Sequence, residues 1–600
     1  MSVSIDRLRT AYETAKAALL AQRTPEGFWI GELSTSALST ATAISALSQV
    51  SGHETLVTGG VRWLVEHQNA DGGWGDTVKS FSNISTTMLC RAALKLAAAA
   101  CGLAGAPAKP QAALGRAETW LAKKYGSTPE QLAEAARQRY GKDRTFSVPI
   151  LMNCALAGLV PWSEVPALPF ELACLPQSWY RFARMPVVSY ALPALIAIGQ
   201  AIFHHRPPKP ILRLIRRWAI PRSLKVLERI QPASGGYLEA APLTSFVVMA
   251  LASCGRGDHP VAKNGVEFLV RSVRNDGSWP IDSNLSVWVT TIAVNALAVA
   301  GDLDSLDRKG ELLAWLLQQQ VKERHPYTGA EPGGWGWSHL SGSVPDCDDT
   351  AGALIAIANL LSPLPQRGRG AGGEGEAKEV SDGLKWLAGL QNRDGGFPTF
   401  CRGWGRLPFD RSGSDLTAHA LRAIDRWRNP NTKRPFWPVH SRQFAALFYL
   451  MDHQRPDGSW LPLWFGNQHA AGEANPVYGT ARVLAALRDL EWQDVERAPK
   501  AIRWLLENQN SDGGWGGCWG CPSTIEETAL ATEVLLDLAP PEQMPAVERG
   551  LLWLIERIEA GGLREPAPIG FYFAKLWYFE KMYPVVWSVA ALGRALRKLK

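Results

Sequence analysis

Nine cysteines in 600 residues are few, odd in number and scattered. They do not form a disulfide framework, and a reducing compartment is expected. Charge is also sparse: Asp, Glu, Lys and Arg make up 20% of the chain, and 63 basic against 56 acidic side chains leave a formal +7. That excess is mild over such a length. With no recognition helix, zinc-finger spacing or aromatic strand motif, it gives no reason to expect a nucleic-acid partner. A long clean apolar run is missing too. The stretch from Met185 to Phe203 is interrupted by Pro186, Ser189, Pro193 and Gln200, which disfavours a membrane span and favours a buried helix or contact with a membrane face. The basic, apolar phrase that follows, with Arg206, Lys209, Arg213, Arg216 and Arg217, suits monotopic attachment at headgroups. Early charges at Asp6, Arg7, Arg9, Glu13 and Lys16 make the N-terminus read as an amphipathic helix, not a signal peptide.

Tryptophan and glycine are abundant, at 25 and 55 residues. A repeated phrase explains much of this excess: GVRWLVEHQNADGGWG (60–75), GLKWLAGLQNRDGGFP (383–398) and AIRWLLENQNSDGGWG (501–516). Divergent copies occupy 265–280 and 451–460. Worn ones lie at Gln22–Trp29 and Gly235–Tyr237, and Gly334–Trp335 fits after a longer loop. Each copy begins with helical apolar spacing. Gln then ends the helix, Asp-Gly makes a tight turn in which glycine tolerates positive φ, and the aromatic folds back. The Gln amide is expected on free backbone groups at helix ends. Most of these indoles are therefore structural.

A second, Ala-rich helix follows most copies, as in SVWVTTIAVNAL, DCDDTAGALIAI, SDLTAHALRAI, VYGTARVLAAL and IEETALATEVL. Small faces suit a crowded inner ring. Alternating outer and inner helices close into an α/α barrel, and the repeats are too many for one six-hairpin ring. The fold expected is all-α, with two α/α barrels. Residues 361–380, rich in Gly, Pro and charge, read as a surface loop.

Asp346-Cys347-Asp348-Asp349-Thr350-Ala351 stands apart. Helix capping is the plain reading of such acids, but here they follow Gly-Gly-Trp and fill one slot of the repeat. On this DxDDTA phrase, the Gln–Trp repeats and the C-terminal GFYFAKLWYFEKMYP, the chain resembles the class II terpene cyclases, specifically the squalene–hopene cyclase group, over nearly its whole length. The resemblance implies a catalytic barrel made from residues 1–34 and 291–600, with a second barrel, 35–290, inserted. It also implies an enzyme, isomerase or lyase, without cofactor or metal. That enzyme would be attached as a peripheral, monotopic protein to the cytoplasmic face of a bacterial-type membrane, and could be a homodimer.

An alkene is a weak base, so protonating it needs a strong, shielded acid. Packed carboxylates cannot all ionise cheaply, and one keeps a proton. By resemblance Asp348 is the donor, and Asp346 and Asp349 share charge with it. A positive His419 raises its acidity, and Asp415 holds that ring. A dry aromatic cavity then stabilises the cation without trapping it. The matches are Trp288, Trp335, Trp337, Phe400, Trp464 and Tyr478, with Phe571, Tyr572, Trp577 and Tyr578 on the far side. The expected reaction converts squalene to a hopene-like product. The chain departs from the family at Trp337, Phe400 and Val289, where Phe, Tyr and an acid are usual. Those departures leave open ring number, terminal step and chain length, so tetraprenyl-β-curcumene or a diterpenyl diphosphate are alternative substrates. An epoxide-opening cyclase is disfavoured by the full acid motif. A zinc prenyltransferase would rest on Cys518 and Cys521 alone, which read as structural thiols. A non-catalytic scaffold would leave the acids and His419 unexplained.

Overall fold

The fold is taken from a computed structural model that describes residues 4–101, 108–141, 143–183, 187–361, 374–428, 437–572 and 575–599. Among these residues, two closed rings of inner helices organise the chain. Six helices form the first: Ser286–Ala300, Cys347–Leu361, Ser414–Arg426, Pro476–Asp489, Ile525–Leu538 and Tyr583–Lys598. Each packs on the next, and the last returns to the first. Five form the second: Ala37–Leu47, Ile84–Ala100, Arg144–Leu156, Val187–His205 and Ala241–Ser253. Ile5–Ala21 packs on Met544–Glu559 and Tyr583–Lys598, so the first helix of the chain closes the outer layer of the six-membered ring. Chain entry to and exit from the five-membered ring are clamped by antiparallel pairing of Thr35–Ser36 with Trp279–Pro280. The expected boundary at residue 290 falls inside Ser286–Ala300.

One device builds every repeat. The backbone N–H of the closing aromatic is held by a threonine hydroxyl of an inner helix, 2.9–3.0 Å away: Trp74 by Thr87, Tyr237 by Thr244, Trp279 by Thr40, Trp29 by Thr290, Trp335 by Thr350, Phe397 by Thr417, Trp460 by Thr480 and Trp515 by Thr528. The indole N–H donates back into the preceding outer helix, as from Trp74 to the Leu64 carbonyl and from Trp515 to the Leu505 carbonyl, both 2.8 Å. The Gln amide bridges its own turn to the next outer helix; Gln509 donates to the Gly513 and Ala546 carbonyls at 2.8 Å. Gly513 turns the chain at φ 92°. Gly550 leaves room for the indole, because a Cβ there would lie 2.6 Å from the Trp515 ring. An aromatic buried with every polar group paired stabilises the fold strongly.

One expectation changes, and another that was left open is narrowed. Residues 374–380 are the first turns of the helix Glu374–Leu390, not loop; residues 362–373 of the same stretch lie outside the described residues. The described part of the Met185–Phe203 stretch lies in the inner helix Val187–His205, with Tyr190, Leu192, Ile196 and Ile202 buried, the buried helix of the two readings offered above. No helix among the described residues is long and apolar enough to cross a membrane.

Candidate active site

Counting back two residues from each repeat threonine reaches the same register on the eight inner helices that carry one. In the six-membered ring that register reads Trp288, Asp348, Asp415, Tyr478 and Glu526; in the other it reads Leu38, Ser85 and Pro242. A cavity between the two rings opens onto part of this register. Its wall includes Trp288, Asp346, Asp348 and Asp349 from the six-membered ring and Pro242, Leu243 and Phe246 from the five-membered one.

The acids divide their work. Asp346 caps its helix, accepting the Asp349 N–H at 2.9 Å, and is 4% exposed. Burial, with Asp348 nearby, pushes its carboxyl up to about 7. Asp349 is equally buried, and desolvation followed by the Asp346 charge raises it well above the usual carboxylate range. This pair retains a proton at neutral pH. Asp348 is the more open, at 19% side-chain exposure, and meets His419 Nδ1 across 2.8 Å. His419 stands on the neighbouring inner helix, beside the face of the ring where Trp288 packs edge-on, centroids 6.3 Å apart.

Two expected roles change here. Burial lowers the His419 pKa; the Asp348 contact opposes this, while Arg482 and Arg422 add to it. The resting ring is therefore biased toward the neutral form, not the imidazolium. Asp415 does not hold that ring. Both its oxygens accept the Leu463 N–H, at 3.1 and 3.2 Å, and burial raises it to about 7.

Trp288, Trp337, Phe400, Trp464, Tyr572 and Tyr578 line the cavity as expected from sequence. Their rings meet largely edge to face: Phe400 with Trp337 and with Trp464, and Trp464 with Tyr572. Trp335 does not join them. It is fully buried and donates to the Leu316 carbonyl at 2.8 Å, as a repeat tryptophan. Tyr478 lies behind the wall, stacked on the lining residue Phe465 at 4.0 Å. The C-terminal phrase forms a hairpin in which Gly570–Tyr572 pairs with Leu576–Tyr578. Side chains alternate along a strand, so Tyr572, Leu576 and Tyr578 face the cavity, while Phe571 and Trp577 pair with each other on the other face, centroids 4.4 Å apart. The sequence reading took the phrase as one cluster and passed over Leu576. It also passed over Phe465, Tyr583, Tyr190 and Asp282, which line the cavity. Asp282, in the GSWPIDS phrase, had a legible signal: an acid just beyond a repeat turn. The Cys518 and Cys521 sulfurs lie 3.3 Å apart and are outside the lining.

Among known proteins, the family model described as "Squalene-hopene cyclase C-terminal domain" matches residues 284–597, and the corresponding N-terminal model matches 12–132. The squalene–hopene cyclase of Alicyclobacillus acidocaldarius is 27% identical, over 89% of this chain and 88% of its own. Enfumafungin synthase of Hormonema carpetanum is 26% identical over 92% of this chain. A terpene cyclase–glycosyl transferase fusion protein of Humicola fuscoatra is 28% identical over 88%. The chain spans about 45% of the length of those two fungal relatives. Among solved structures, an ent-copalyl diphosphate synthase from Streptomyces platensis shares the fold, with a TM-score of 0.56 at 20% identity over 98% of this chain and 99% of its own.

Proposed function

Since the chain belongs to the squalene–hopene cyclase family and is an enzyme of the class II terpene cyclase type, we propose that it protonates a terminal alkene of a polyprenyl chain and drives cationic ring closure, with squalene as the first substrate to test. The observation that carries this reading is the Asp348–His419 contact of 2.8 Å at the wall of an aromatic cavity. Asp348 is the proton donor. The proton adds to the less substituted alkene carbon and leaves a tertiary cation. Asp346 and Asp349, reluctant to ionise together, keep a proton within the cluster. As Asp348 passes its proton to the alkene, the Nδ1–H of a neutral His419, 2.8 Å away, donates a hydrogen bond to the carboxylate left behind and stabilises it, while the positive charge moves onto the substrate carbon. Trp288, Trp337, Phe400 and Trp464 offer π faces to the moving cation. Holding the polyene folded makes each closure intramolecular. A hopene-like product is the reading for squalene.

A second reading, another polyprenyl substrate, is favoured by the acidic Asp282 on the cavity wall, to which a pure hydrocarbon offers no hydrogen bond. We also propose peripheral attachment to a membrane surface. Neighbouring elements carry Trp179 and Phe182, then Ile211, Leu214 and Trp218, all largely exposed, with Arg213 and Arg217 among the latter three. An apolar, basic face of this kind suits a lipid interface.

The test is incubation of the purified, detergent-supported protein with squalene, followed by mass spectrometry and product NMR. Cyclic isomers that vanish on Asp348→Asn support the proton-donor role; product unchanged in that variant refutes it. Flotation with anionic vesicles, compared with Ile211→Glu/Trp218→Glu, tests the attachment: equal flotation of both proteins refutes it.

A further inference from the structure

Asp282 lies where the chain passes from the five-membered ring to the six-membered one. A backbone bridge to Ala240 fixes its position. The residue is 7% exposed and belongs to the cavity wall. One carboxyl oxygen accepts the Ser283 N–H at 2.8 Å. The Trp337 indole N–H lies toward this carboxyl, close enough to favour its charged form, yet it closes no hydrogen bond of its own. Behind Asp282 stands Glu239, 1% exposed, which accepts from the Ser234 hydroxyl and the Gly342 N–H, both at 2.6 Å. Glu239 is thus well supplied with donors, and Asp282 is not. Burial and the Glu239 carboxyl raise Asp282 well above the usual range, which favours its neutral form, able both to donate and to accept.

A buried carboxyl with one full hydrogen bond, beside an indole N–H that approaches it without closing a second, is costly against hydrocarbon. We propose that Asp282 and the Trp337 N–H form a polar subsite that binds a hydroxyl group of the substrate, so that the preferred substrate is a hydroxyl-bearing isoprenoid and not a pure hydrocarbon. The hydroxyl oxygen accepts from the Trp337 N–H, and its hydrogen bond with the Asp282 carboxyl completes the set. This rests on the reading of the cavity as the substrate chamber, but not on Asp348 as donor. Sites built to bind a hydroxyl reject the analogue lacking it, because their own polar groups are then left unpaired.

Binding is therefore measured apart from turnover, by quenching of tryptophan fluorescence. The probes are farnesol and geranylgeraniol, each against the hydrocarbon in which hydrogen replaces the hydroxyl. The wild-type protein is expected to bind at least one alcohol tenfold or more tightly than its hydrocarbon partner. Asp282→Leu should cancel that preference while holding or improving hydrocarbon affinity, and Trp337→Phe should reduce it. Asp282→Asn, which keeps the shape and a hydrogen-bonding end, should retain part of it. Equal affinities within both pairs, or a preference that survives Asp282→Leu, overturn the proposal and leave the pair as a holder of ordered water. The same titration on Asp348→Asn should match the wild type. Loss of turnover there with the preference intact supports the subsite, while turnover unchanged by Asp348→Asn breaks the proton-donor reading alone.

Discussion

The two rings are built by one device and differ in what it presents. In both, a threonine hydroxyl holds the N–H of a buried aromatic: Thr40 holds Trp279 in the five-membered ring, and Thr480 holds Trp460 in the six-membered one. Two residues before the threonine, however, the five-membered ring has Leu38, Ser85 and Pro242, and the six-membered ring has Trp288, Asp348, Asp415, Tyr478 and Glu526. The threonine and the aromatic fix the helix ends, and this frees the adjoining register to vary. A buried carboxylate is expensive, and the ring that carries several has placed them at helix starts, where backbone N–H groups meet part of the cost.

The sharpest break of this comparison removes one member of the register. Asp348→Asn should cut turnover by about a thousandfold, read as product formed per mole of folded protein, with the melting temperature nearly unchanged. The complementary break removes a lock. Trp515→Ala leaves a large void and an empty acceptor at Leu505, and should cost about 3–5 kcal/mol in a denaturant titration, with turnover per folded molecule held. If Trp515→Ala abolished turnover in molecules that remain folded, the division between lock and register would fail.

A third break uses pH. In the native state Asp346 titrates near 7, against a carboxylate norm near 4 in an unfolded chain. Between those values the folded protein holds a proton that the unfolded chain has released. This contribution is therefore full at the acid end and is lost as pH climbs toward 7. Relative to Asp346→Asn, which still caps the helix, the wild type should lose up to about 2–3 kcal/mol of stability between pH 5 and pH 7. A wild-type-minus-variant difference that is flat with pH would mean Asp346 carries no proton there.

The repeats made the architecture legible, because Gln, Asp-Gly and an aromatic at fixed spacing have one low-energy arrangement. The acids and His419 were legible as a motif, but their division of labour was not. Asp415 turns to the Leu463 N–H and burial lowers the His419 pKa, and both depend on what packs around them. Trp335 was misplaced because a lock tryptophan and a wall tryptophan, Trp337, stand two residues apart in one phrase. The hairpin hid its alternation: with Phe571 and Tyr572 adjacent, only the strand pairing decides which one sees the cavity. Asp282 was passed over because its importance comes from groups distant in sequence, Glu239 behind it and Trp337 beside it.

The smallest expected effect tests the shared device itself. Thr480→Val preserves shape and leaves the Trp460 N–H without its partner at 3.0 Å. A buried donor stranded in this way costs about 1–3 kcal/mol. Thr40→Val does the same to Trp279 in the five-membered ring. Both threonines are fully buried, so neither site can substitute water for the lost hydroxyl. The two variants should therefore fall by similar amounts in matched denaturant titrations, within about 0.5 kcal/mol of each other, and the double variant should be additive to a similar margin, because the sites share no partner. A much larger penalty at Thr480 would mean that the lock of the cavity ring also holds its wall, since Tyr478, two residues before Thr480, stacks on the lining residue Phe465.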